Sequence, residues 1–160
     1  MFCRVLIEMD FCTVVIQLLN TVVIDSTVQL LTGILWKVSL DESSRKSVAE
    51  GVDSIVHSLQ TYPTHAGIQR NCLGMLFNLS LSGRESEGIG MLDTRICSLL
   101  YSRLTLPCIL DSMDYFKGDS QVSLQGVSLL CNLLKGMYED SYSMQMRTAV
   151  CFFSLIMWWS

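Results

Sequence analysis

Two stretches of this chain repeat one another at a fixed offset. Ile55-Val56-His57-Ser58-Leu59, then Ile68-Gln69, then Leu76-Phe77-Asn78-Leu79 form the first stretch. Ile109-Leu110-Asp111-Ser112-Met113, then Val122-Ser123, then Leu130-Cys131-Asn132-Leu133 return it 54 positions later. A third version lies 41 positions upstream of the first: Val14-Val15-Ile16-Gln17-Leu18 leads to Gly33-Ile34-Leu35-Trp36-Lys37-Val38-Ser39, which aligns with Gly74 to Ser80. A unit recurring at about 40 residues predicts an array in which each unit covers its neighbour's apolar face. Such a chain reads as a binding scaffold and not as an enzyme.

The periodicity within each copy is helical. Ile68, Cys72, Leu76 and Leu79 fall on one stripe of a 3.6-residue helix, and Val122, Gly126, Leu130 and Leu133 repeat it. No sustained alternation competes, so the expected class is all-α. Thr61-Tyr62-Pro63-Thr64-His65 should separate one helix from the next, since Pro63 inside a helix forfeits a hydrogen bond; Thr64 or a neighbour would cap the second. Lys117-Gly118-Asp119-Ser120 should do the same in the third copy, with Asp119 or Ser120 as cap. Asp41-Glu42-Ser43-Ser44 opens a short helix running through Ala49, with Gly51 as its expected C-terminal glycine. The extra 13 positions between the later copies fall within Ser82 to Pro107, where Gly83, Gly88 and Gly90 predict a mobile start and Ile96 to Tyr101 an enlarged helix. The expected organisation is one domain over 1–160, with units at roughly 10–50, 51–92 and 105–148. Residues 93–104 then belong to the insertion, and 149–160 form an apolar tail.

Half of the 160 residues are hydrophobic and 16% are charged, which is apolar for a free-standing domain. Both ends contribute, from Met1 to Phe11 and from Ala149 to Trp159. These ends would dock onto further units, a partner or a second copy, or the chain is a fragment of a longer array. A membrane span needs about 20 apolar residues, and neither Phe11 to Ile24 nor the stretch after Arg147 reaches that. Arg4, Glu8 and Asp10 break up a signal peptide. Seven cysteines without a Cys-x-x-Cys or a neighbouring histidine fit core positions in a reducing cytoplasm or nucleus better than metal or redox work. A net charge of −4 argues against nucleic acid. The two histidines, His57 and His65, stand in no catalytic spacing, and no cofactor or metal site is expected. Asn78-Leu79-Ser80 spells a glycosylation acceptor, read here as chance.

From Ser44-Arg45-Lys46-Ser47-Val48-Ala49-Glu50-Gly51-Val52-Asp53-Ser54-Ile55-Val56, and through Ile68-Gln69 to Leu76-Phe77-Asn78-Leu79-Ser80, the chain resembles an armadillo repeat. The resemblance covers about residues 10 to 150 in three copies. HEAT repeats share the logic with two helices per unit; a short third helix per unit and the Leu-x-Asn-Leu endings favour armadillo. The resemblance implies a right-handed superhelix whose long helices line a concave groove. Its groove positions are Asn71, Gly74 and Asn78 in the middle copy, Gln125, Ser128 and Asn132 in the third, and Leu30, Gly33 and Lys37 in the first. Asn78 and Asn132 match the family asparagine that hydrogen-bonds the main chain of an extended peptide. The same asparagines could equally tie neighbouring units together. Nuclear-import receptors of this family carry a tryptophan four residues before that asparagine. Gly33, Gly74 and Ser128 stand there instead, which argues against a basic localisation signal as ligand. Trp36, three positions after Gly33 and one before Lys37, is expected in the core. The function implied is binding an extended segment of a partner protein, with self-association through the apolar ends as the other use of the chain.

Overall fold

A computed structural model of the chain describes residues 10–81, 94–102 and 105–139. Its elements are α1 (Phe11–Thr21), α2 (Asp25–Ser39), α3 (Glu42–Ala49), α4 (Val52–Thr61), α5 (Ala66–Ser80), α6 (Thr94–Ser102), α7 (Thr105–Tyr115) and α8 (Ser120–Glu139). Among the described residues there is no β-strand, and the chain is all-α.

The caps follow the side chains available at each start. His65, not Thr64, begins α5: its Nδ1 accepts the Ile68 amide at 3.4 Å. Asp119 begins α8, its Oδ1 accepting the amides of Gln121 at 3.0 Å and Val122 at 3.2 Å. Asp41 precedes α3 and accepts hydrogen bonds from the hydroxyls of Ser43 and Ser44, which hold its carboxyl below the usual carboxylate range. Pro107 follows the helix predicted over Ile96 to Tyr101 and sits in the first turn of α7, where its missing N–H leaves no helical bond unmade. Gly51 is not the left-handed terminus expected of it, because its φ is −95°. The reason for glycine is proximity: a Cβ there would stand 2.6 Å from Ile16 Cγ1 of α1.

The three long helices lie side by side in the order α2, α5, α8, with α5 packed on both others. Behind them α1, α4 and α7 form a second row, α4 touching both neighbours. The short helix α3 packs on α2 and α5, and α6 packs on α5 and α8. Helix α6 thus lies within the stretch assigned to the insertion, between α5 and α7 along the chain. The predicted glycine-rich start and the tail from 149 lie outside the described residues.

Both sequence stripes face inward. Ile68, Cys72, Leu76 and Leu79 are buried, as are Val122, Leu130 and Leu133. In α5 the burial extends round most of the helix, from Gly67 to Ser80, because it has neighbours on either flank. Burial of cysteine is uneven. Cys12, Cys72 and Cys97 belong to the core while Cys131 is exposed; Cys3 and Cys151 lie outside the described residues. Loss of solvation pushes the Cys72 thiol well above its ordinary range. A maleimide titration at neutral pH should therefore label Cys131 in dilute native protein and leave Cys72 untouched until denaturant is added. Mass spectrometry of the labelled peptides reads the outcome, and early labelling of Cys72 would contradict this packing.

Candidate functional site

The positions singled out by the sequence lie on α2, α5 and α8, which are adjacent. They fall into two groups. Asn78 and Asn132 are buried, and each makes the same bond to the preceding long helix. Asn78 Nδ2 donates to Ser39 Oγ at 2.9 Å, and Asn132 Nδ2 donates to Ser80 Oγ at 2.8 Å. Each serine hydroxyl donates in turn along its own helix, Ser39 to the Trp36 carbonyl at 2.7 Å and Ser80 to the Phe77 carbonyl at 2.6 Å. The two rungs stand one copy apart, since both members of the pair recur in register. They begin at Ser39, because the first copy has Lys37 where an asparagine would stand. They stop at Asn132, because the third copy has Leu134 where a serine would stand.

The second group is partly accessible. Asn71 is half-buried and also reaches back to α2, its Nδ2 donating to the Gln29 carbonyl at 3.0 Å and to Thr32 Oγ1 at 3.1 Å. Gln125 and Ser128 are half-buried on α8, and Lys37 is exposed on α2. Gln125 Oε1 is buried and meets no donor among the described residues, an acceptor that an incoming N–H or a water would satisfy. Lys37 Nζ lies 4.4 Å from the centre of the Trp36 ring, a cation–π distance.

Trp36 is half-buried against the core and lies across the middle helix at Gly74. A Cβ at Gly74 would come within 2.5 Å of Trp36 Nε1 and 2.8 Å of Gln125 Nε2. Glycine thus lets side chains from both neighbouring helices meet over α5. The indole lies over Gly74 on that floor. Leu30 and Gly33, the remaining positions of the first copy, lie on α2; Leu30 is well exposed.

Two polar contacts are not among the positions the sequence singles out. Arg70 Nε of α5 sits 3.5 Å from Asp119 Oδ2 at the start of α8. Gln69 is buried and donates Nε2 to the carbonyls of Leu59 and Tyr62, each at 2.8 Å. Pro63 is the signal that could have found the second, because it stands four residues after Leu59 and has no N–H to offer that carbonyl. Among the described residues no group of three His, Cys, Asp or Glu side chains is placed to hold a metal, and no helix is long and apolar enough to cross a membrane. No family model, no curated protein and no solved structure matches the chain.

Proposed function

We propose that this chain is a non-enzymatic interaction scaffold, an armadillo-like right-handed array of about three units that holds an extended segment of a partner protein along α2, α5 and α8. The observation that carries the reading is the recurrence of one bond, Asn78 to Ser39 and Asn132 to Ser80, at equivalent places between successive long helices. It supports units stacked in register and gives the long helices one continuous surface. On that surface the buried asparagines are the floor. Lys37, Asn71, Gln125 and Ser128 are the side chains within a ligand's reach, and their mixture of donors and acceptors suits a peptide main chain.

Selection from a displayed library of unstructured peptides, with the folded chain as bait, tests this reading. Enriched peptides should bind Gln125→Ala/Ser128→Ala about 5- to 100-fold more weakly, the loss of one or two hydrogen bonds, at an unchanged thermal midpoint. Binding undiminished in that variant and in Lys37→Ala would remove the groove from the reading. The alternative, a structural segment of a larger array or oligomer, draws on a separate observation: the outermost long helices carry exposed apolar side chains.

A further inference from the structure

Of the exposed large apolar residues described, Val23, Leu40 and Tyr115 stand apart. The others occupy the positions at which one copy stacks on the next. Val14, Leu18 and Ile34 in the first copy are 50%, 45% and 39% exposed. Their equivalents 41 positions on, Ile55, Leu59 and Met75, are 0%, 2% and 0% exposed, lying where α4 and α5 pack on α1 and α2. The face of α1 and α2 turned away from α4 and α5 is thus a stacking face with no unit on it among the described residues. At the other end, Val127 is 39% exposed, whereas its equivalents Leu73 and Thr32 are both 0% exposed, each on a helix that has a following long helix packed on it.

The two open faces also match each other in chemistry. Between α2 and α5 a polar pair meets, Asn71 donating to Thr32. Carried to the open faces, that pair becomes Leu30 on α2 and Val127 on α8. Between α5 and α8 an ion pair meets, Arg70 with Asp119. Its counterpart is Leu124 on α8 and Ile24 before α2, 67% and 63% exposed. In both pairs the two members change together from polar to apolar, on faces at opposite ends of the chain. An open face meant for water would have kept the polar partner. An amide or guanidinium meeting a new apolar surface would be desolvated without a bond, whereas these leucines and valines lose nothing by being covered.

We propose that the occupant of each face is a second copy of this chain, the α8 face of one copy stacking on the α1–α2 face of the next in the register that joins α5 to α2. Such a contact is head-to-tail, so it propagates instead of closing as a two-fold dimer. It would lack the asparagine–serine rung, because Lys37 and Leu134 stand at the positions of donor and acceptor. The join is therefore weaker than those within the chain, and reversible. The proposal rests on the register of the copies and not on what the groove holds. Absence of self-association would leave the peptide reading standing, and failure of the peptide selection would leave this one.

Light scattering coupled to size exclusion, on the full chain from roughly 1 to 100 µM, tests it in the range where a reversible contact is half formed. The wild-type mass should climb with concentration beyond that of two chains. Leu30→Glu/Ile34→Glu and Leu124→Glu/Val127→Glu should each stay at the mass of one chain, with wild-type far-UV circular dichroism. Mixed together, those two variants should form a species of two chains and nothing larger, since one intact face remains on each. Labelling of Cys131, which lies one turn beyond Val127, should slow as wild-type protein is concentrated and stay constant in the variants. A wild-type chain of single mass throughout would overturn the proposal. Dimers formed by either variant alone would overturn it too, because a face would then be meeting its own kind.

Discussion

Gln69→Leu is expected to cost this chain about 2–4 kcal/mol, since both carbonyls at the end of α4 lose a buried amide donor at once. For a protein of this size that corresponds to a fall in thermal midpoint of roughly 5–15 °C. The Leu59 carbonyl is the more vulnerable of the two. Pro63, four residues on, removes the N–H that would ordinarily satisfy it, and the Gln69 side chain supplies one in its place at 2.8 Å. The Tyr62 carbonyl keeps a second donor, the amide of His65 at 3.2 Å. Pro63→Ala returns an N–H to the position, so it should recover some of the loss in the Gln69→Leu background while doing little alone. A midpoint unmoved by Gln69→Leu in a thermal melt would mean that water satisfies these carbonyls.

Asn78→Ala combined with Asn132→Ala is the other change with a large expected effect. Each substitution leaves a buried serine hydroxyl without its donor, at about 1–3 kcal/mol. The two rungs join different pairs of helices, so their costs should come close to adding. Removing both members of a rung is milder than removing one, so Asn78→Ala/Ser39→Ala should be more stable than the sum of its single changes implies. Chemical denaturation of the four members of that cycle measures the coupling directly. The same double asparagine variant separates the two uses these residues could have. A lost midpoint marks them as ties between helices. Weakened peptide binding at an unchanged midpoint marks them as ligand contacts.

Much of the architecture is legible in the sequence because the core is written at helical spacing. Ile68, Cys72, Leu76 and Leu79 announce the inner face of α5, and Pro63 and Asp119 announce breaks and a start. The partners of the asparagines are not legible, since Ser39 lies 39 residues from Asn78 and Ser80 lies 52 from Asn132. The recurrence of serine two positions after the aligned lysine and asparagine is in view, but a serine near a helix end has many local uses. Gly51 misleads because a glycine past a short helix has two common causes, a left-handed turn or a close neighbour, and only the position of Ile16 decides. The placement of α6 is hidden by the added length, where offset alone does not tell insertion from helix. Trp36, expected in the core, lies against it, half-buried, across Gly74.

The near-complete enclosure of α5 has a consequence for the order in which the chain is made. One flank of α5 packs on α2, which is synthesised earlier. The other waits for α8, whose first residue emerges some 40 residues after Ser80. At ordinary translation speeds this interval is roughly 2–8 s. During it a flank of α5 that is buried in the finished fold faces solvent on a helix already able to form. The nascent chain thus passes through a window in which its most central helix shows apolar surface that the completed fold hides, a surface prone to association while it lasts.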